Sequence, residues 1–286
     1  MLSEPVPHRE PSDRTDFTID QNWARYTDEE HAIWRLLFER QHRILRGRAC
    51  DEFLTGLDGL GIAADGIPDF RQLSDVLGRT TGWQIVAVPG LVPDAIFFDH
   101  LANRRFPSTC FIRTRAQLDY LEEPDVFHDI YGHVPLLMNP IFADYMQAYG
   151  QGGLKASGQE ALHFLARLYW YTVEFGLIST PQGLRIYGSG ILSSKGESIF
   201  SLEDRSPNRV QFDLLRVMQT RYRIDDYQES YFVIDSFNNL FEATLPDFSA
   251  YYAALKDRAE YDPGTLLASD RLSQRGTGAY HSQRTA

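Results

Sequence analysis

Between Ala161 and Leu177 the chain reads ALHFLARLYWYTVEFGL, so nearly apolar all round that, as a helix, it offers no face to water. A chain containing such a segment must pack the rest of itself around it, as a buried central helix. The polar exceptions are His163, Arg167 and Glu174, which with Trp170 recur at spacings of 4, 3 and 4 and so share one stripe of a helix. An ionised, unpaired Glu174 would be prohibitively costly there, so it must meet a cation, a metal or a proton. Arg167, one of the few cations near it in sequence, and a metal ion are equally good partners on this ground alone.

The remaining sequence supplies enough apolar material for one continuous core, with 286 residues of which 43% are apolar and 13% aromatic. A formal charge of −11 argues against a nucleic-acid partner, which would need a basic face. No run is apolar over the roughly 18 residues a membrane span demands. The first 21 residues contain no apolar core of a targeting signal. With only Cys50 and Cys110, no disulfide framework can form, and the chain reads as cytoplasmic and reduced.

Local signals give a mostly α protein with a few short β-strands, in one domain spanning residues 23–262. Residues 1–22 mix acids and prolines without periodicity and read as a mobile lead-in, and 263–286, rich in Ser, Arg, Gly and Gln, as a disordered tail. No heptad that would make a coiled coil is present there. Thr27-Asp28-Glu29-Glu30 is a capping box opening a helix over 28–46, followed by helices over Cys50–Leu60 and Pro68–Leu77. Trp83–Val88 reads as a strand stopped by Pro89-Gly90. A loop, Leu91-Val92-Pro93-Asp94, leads into a helix carrying Phe97, Phe98 and Leu101, and Pro107–Arg113 forms a short extended segment. Further on come a helix over Ile141–Gly150 with a flexible break at Gly150–Gly153, strands at Leu184–Tyr187 and Ser230–Ile234, and helices at Pro207–Met218 and Phe237–Ala243. The glycines of Gly188–Glu197 lack phosphate-loop spacing, which excludes nucleotide binding by that segment.

The stretch richest in chemistry is Glu123-Pro124-Asp125-Val126-Phe127-His128-Asp129-Ile130-Tyr131-Gly132-His133-Val134-Pro135. Pro124 and Asp125 suit a first helical turn. In an unbroken α-helix, His128 and His133 would lie about 140° apart around the axis, which is poor for sharing a metal. A helix that ends at Gly132 frees His133 to turn back toward His128, and Pro135 prevents its continuation. Zinc proteases use an i, i+4 pair with a Glu base, so this motif is a different one. Two imidazoles and the Glu174 carboxylate are the donor set of a mononuclear non-haem Fe(II) oxygenase, which leaves positions open for oxygen and substrate. On spacing alone the two histidines read equally as ligands or as packed core residues. Arg113 and Asp125 read as a surface cation and a helix-start acid, Phe97 and Trp170 as core aromatics, and Ser193 as a turn residue.

Together the motifs carry a resemblance. Residues 124–135, then Tyr169-Trp170-Tyr171-Thr172-Val173-Glu174-Phe175-Gly176-Leu177, then Tyr187-Gly188-Ser189-Gly190-Ile191-Leu192-Ser193-Ser194, resemble the pterin-dependent aromatic amino acid hydroxylases, most of all the short bacterial members acting on phenylalanine. The resemblance runs from about Trp23 to Asp262 and implies a single, mostly helical catalytic domain. It implies Fe(II) held by His128, His133 and Glu174, tetrahydrobiopterin or a related tetrahydropterin as cofactor, O2 as co-substrate, and conversion of L-phenylalanine to tyrosine. It further implies that Phe97 stacks on the pterin while the Leu91-Val92 backbone bonds its edge and Asp129 stands on the pterin side. Arg113 would grip the substrate carboxylate, Asp125 would orient Arg113, Trp170 would bound the substrate ring, and Ser193 would hold the amino acid's polar end. Asp129 replaces a Glu, and Leu121 a Thr, of animal members. Their long N-terminal regulatory domain and C-terminal oligomerisation helix have no counterpart, so a monomer is expected. Rival readings are tryptophan or tyrosine hydroxylation on the same fold, a zinc hydrolase, and a metal-stabilised interaction protein.

Overall fold

The computed structural model describes residues 9–119, 121, 123–158 and 160–284. Contacts divide the chain into two compact units, 1–43 with 51–154, and 44–50 with 155–286. About half of the chain is helical and 12% is in strands, as expected.

In the first unit the capping box forms as the sequence requires: Glu30 N–H donates to Thr27 Oγ1 (3.3 Å), and Thr27 N–H to Glu30 Oε2 (2.8 Å). It opens α1 (Asp28–Leu45), and α2 (Asp51–Leu60) follows. The third helix, α3 (Phe70–Thr80), starts two residues past Pro68 because Asp69 caps it, accepting from Arg71 N–H. Strand β1 (Gln84–Val88), helix α4 (Asp94–Ala102) and strand β2 (Arg105–Thr109) form a β-α-β unit with the strands parallel, Gln84 opposite Arg105 and Val88 opposite Thr109. The second strand thus lies earlier than the expected 107–113, and Arg113 falls beyond its end.

The expected break at Gly150–Gly153 does not occur. Helix α5 (Pro140–Ser157) runs through it, and two of the glycines serve close packing: a Cβ on Gly150 would lie 2.4 Å from Ala102 N, and one on Gly153 2.0 Å from Phe98 Cδ1. The lead-in makes defined contacts over its described part. Ile19 N–H donates to Ala87 O on β1 (2.8 Å), His100 Nε2 lies 2.8 Å from Asp16 O, and Arg9 pairs with Glu123 (2.7 Å) over the Phe111 ring. Residues 1–8 lie outside the described residues.

The second unit begins where the sequence promised one long helix. Instead α6 (Leu162–Tyr169) passes into a π-helical turn, Trp170–Glu174, and Leu177 already starts β3 (Leu177–Thr180), which hairpins into β4 (Gly183–Ile186). Then come α7 (Ser189–Ser193), α8 (Lys195–Glu203), β5 (Asn208–Gln211) and α9 (Leu214–Met218). The expected helix over Pro207–Met218 is therefore a strand and a short helix capped by Asp213, which accepts from Arg216 N–H (2.9 Å). β6 (Ser230–Ile234), α10 (Phe237–Thr244), α11 (Ser249–Leu255), β7 (Leu272–Gln274) and α12 (Ala279–Arg284) complete the unit. The five-stranded sheet has order β4-β3-β6-β5-β7, with β3 and β5 parallel to β6 and with β7 antiparallel to β5.

The expected disordered tail thus supplies an edge strand, and Asp270 within it pairs with buried Arg216 (2.9 Å). Its lack of periodicity reflects elements too short to show any. Among the described residues no helix is long and apolar enough to cross a membrane.

Candidate active site

The histidine motif solves its spacing problem differently from the expected Gly132 stop. Residues His128–His133 form a π-helical turn that runs directly into a 3-10 turn, Val134–Met138, with Pro135 in its opening where a missing N–H is harmless. Hydrogen bonds closing from i to i+5 bring residue 133 back over residue 128. The two Nε2 atoms lie 3.2 Å apart, with ring centroids at 5.0 Å and planes at 82°. The turn is clamped by packing: Phe127 stacks on Tyr131 (4.8 Å), Tyr131 meets Phe38 and Phe53 edge-on, and a Cβ on Gly56 of α2 would lie 2.0 Å from Pro135 O. Phe106 of β2 lies against His133 (5.1 Å).

Glu174 ends the second π-turn, where Phe175 N–H donates to Trp170 O (2.8 Å), again five residues back. Arg167 is not its partner, since that guanidinium binds Glu260 (2.6 Å) and Met218 O (3.1 Å). His163 is exposed. The stripe calculated for a straight α-helix ends where the winding changes at Trp170. The glycines of the 188–190 segment serve close approach to this region: a Cβ on Gly188 would lie 2.4 Å from Gly176 N and 2.5 Å from Glu174 O. Ser189 Oγ donates to Glu174 Oε2 (2.9 Å).

One ligand atom each from His128, His133 and Glu174 lies within 4.8 Å of the others. Two imidazole nitrogens at 3.2 Å suit two ligands on one ion about 2.0–2.1 Å from each. Two histidines and a carboxylate are the facial donor set of non-haem Fe(II). The residues present fit the metal.

Arg113 and Asp125 are neither a surface cation nor a simple helix-start acid. Nε and Nη2 of Arg113 donate to the two carboxylate oxygens of Asp125 (both 2.8 Å), and the pair is buried, Asp125 completely. Burial would push the Asp125 carboxyl up, but Arg113 and the backbone N–H groups of Arg113 and His128 outweigh it and hold the carboxyl below its usual range. Asp129 accepts from both N and Oγ1 of Thr109 (2.8 Å each), yet burial pushes its carboxyl up to about 7. Leu91 is exposed in the loop before α4, Val92 half-buried, and Phe97 half-buried on the first turns of α4, edge-on to Phe98.

Trp170 is half-buried, stacks on Tyr222 (4.4 Å), meets Phe175 at a tilt (4.7 Å), and donates Nε1–H to Gln228 Oε1 (3.0 Å). Ser193 is buried and its Oγ donates to Ser189 O (2.9 Å). Sequence reasoning passed over Thr109, Ser189 and Gln228. Only Ser189 carried a visible signal, a lone hydroxyl between two glycines.

Residues 18–268 match the biopterin-dependent aromatic amino acid hydroxylases, and the chain belongs to that family. Within it, the chain is similar to the phenylalanine-4-hydroxylase of Ralstonia nicotianae, 61% identical over 264 residues that cover 92% of this chain and 84% of the relative. It also resembles the crystal structure of phenylalanine hydroxylase from Chromobacterium violaceum with iron and phenylalanine bound, at a TM-score of 0.88, 58% identity and coverage of 92% and 96%. The structure of the Chromobacterium violaceum enzyme with Fe(III) and 7,8-dihydrobiopterin agrees at 0.88, with 60% identity and coverage of 91% and 94%.

Proposed function

We infer that the chain is a phenylalanine 4-monooxygenase, converting L-phenylalanine to L-tyrosine with O2 and a tetrahydropterin. The observation that carries this is the meeting of His128, His133 and Glu174 in a chain about 60% identical to bacterial phenylalanine hydroxylases. Fe(II) and the pterin, when bound, supply the activation of O2 that lets one oxygen atom enter the substrate ring. The protein supplies placement and exclusion of water.

Arg113 binds the substrate carboxylate; supporting this, Asp125 occupies its Nε and Nη2 and leaves Nη1 for an anion. Trp170, held by Gln228, bounds the substrate ring, and Ser193 holds its polar end. Phe97 stacks on the pterin, the Leu91-Val92 backbone meets the pterin edge, and Asp129 acts from the pterin side. The enzyme works as a cytoplasmic monomer; two buried thiols without a disulfide suit that compartment, and light scattering tests the oligomeric state.

The deciding assay adds Fe(II) and a tetrahydropterin to the metal-free protein in air and measures tyrosine formed from phenylalanine, with tryptophan and tyrosine as competing substrates. His128→Ala and Glu174→Ala should each lose bound iron and turnover while circular dichroism shows the fold kept. Full turnover in either variant would falsify the ligand set.

A further inference from the structure

We propose that Ser189 is a positioning residue for the metal ligand Glu174, its hydroxyl holding the carboxylate in the orientation that receives the ion. This rests on the metal reading of the site and adds to it a group outside the ligand set.

The geometry is specific to this position. Ser189 is the first residue of α7 and is 1% exposed. Its neighbours have no room for a side chain: a Cβ on Gly188 would lie 2.5 Å from Glu174 O, and one on Gly190 2.9 Å from Phe175 Cζ. The 188–190 backbone is therefore pressed onto the backbone around Glu174, and the only side chain it carries is a hydroxyl. That hydroxyl has a single proton and two acceptors in reach, Glu174 Oε2 at 2.9 Å and Val173 O at 3.0 Å. A bond to an ionised carboxylate is the stronger of the two. The serine is itself tied down, because Ser193 Oγ donates to its carbonyl oxygen (2.9 Å) and Gly188 N–H donates to Gly176 O (3.0 Å).

The consequence is preorganisation. A glutamate side chain has three rotatable bonds, and freezing them when the metal arrives costs entropy. A buried hydroxyl that orders the carboxylate beforehand removes part of that cost from the binding step. Loss of such an outer partner typically weakens metal binding on the order of 10- to 100-fold.

The experiment titrates the metal-free full-length protein with cobalt(II), following its d–d absorption and confirming affinities by competition with a chelator. Ser189→Ala should bind cobalt about 10-fold more weakly, with the melting temperature of the metal-free protein unchanged. Ser198→Ala removes another buried hydroxyl, one that lies 2.7 Å from both Ile191 O and Ser194 O, and should leave cobalt affinity as it was. Unchanged affinity in Ser189→Ala, with affinity lost in Glu174→Ala, overturns the proposal while leaving the metal site intact. Equal weakening in Ser189→Ala and Ser198→Ala also overturns it, as loss of packing. Wild-type affinity in Glu174→Ala overturns both the proposal and the metal reading.

Discussion

A carboxylate without exposed surface stays ionised only when its charge is answered locally, and Asp125 and Glu197 mark the two outcomes. Asp125 is answered by a two-pronged guanidinium and two backbone donors. Asp125→Ala would leave Arg113 buried without its partner and should cost about 3–5 kcal/mol in urea unfolding. Arg113→Ala should instead be read in kinetics, raising KM for phenylalanine with iron content retained; an unchanged KM would return Arg113 to a structural role. Glu197 is answered only by neutral donors, Tyr231 O–H (2.7 Å) and Gln228 N–H (3.2 Å). Burial pushes its carboxyl up to about 7 from 4.5, with the Tyr231 and Gln228 bonds opposing and the charge of Asp226 adding. The folded state therefore holds this proton more tightly than the unfolded one. Its contribution to stability is complete below about 4.5 and is lost as pH rises through about 7. Glu197→Gln should flatten the decline in melting temperature between about pH 5 and about pH 8, a difference on the order of 3 kcal/mol at the upper end. Parallel melting curves for the two proteins would count against it.

At the scale of elements, glycine is where sequence rules and packing part company. In helix α5 the intrinsic gain of Ala over Gly is about 1 kcal/mol at any interior position. Gly152→Ala should realise that gain, because its Cβ meets nothing within 4 Å. Gly153→Ala drives a methyl into the buried Phe98 ring and should destabilise by about 1–3 kcal/mol; thermal melts of the two variants should move in opposite directions. The same limit governed what was legible beforehand. The capping box at Thr27, the Pro89-Gly90 stop and the strand over Ser230–Ile234 are decided within a few residues, and the structure contains them. The π-turns at His128–His133 and Trp170–Glu174 leave no compositional trace, since an i+5 winding persists only where surrounding rings clamp it. The triad's donor set could therefore be named from the chain, while the winding that joins its two histidines could not.

At the scale of the whole molecule, the last residues have the largest consequences that composition hides. Removing everything after Asp262 looks harmless in the sequence. It would strip Asp270 from Arg216, a pair whose side chains are 7% and 3% exposed, and uncover the edge of β5 that β7 protects. Such a truncation should lose at least about 3–5 kcal/mol, seen in denaturant melts, and should self-associate through the open edge. Retention of full stability would mean that the segment is only draped on the surface. The order of residues alone determined the helical majority and the net negative charge, because these depend on residue type and short-range hydrogen bonding, and through its motifs' family resemblance it named the two-histidine and one-acid donor set. Tertiary structure alone decided that Arg167 belongs to Glu260, that Asp125 clasps Arg113, that Ser189 reaches Glu174, and that the tail closes a sheet. Each of those joins groups separated along the chain, and the free energy that selects such a partner exists only once the folded backbone has excluded water from around it.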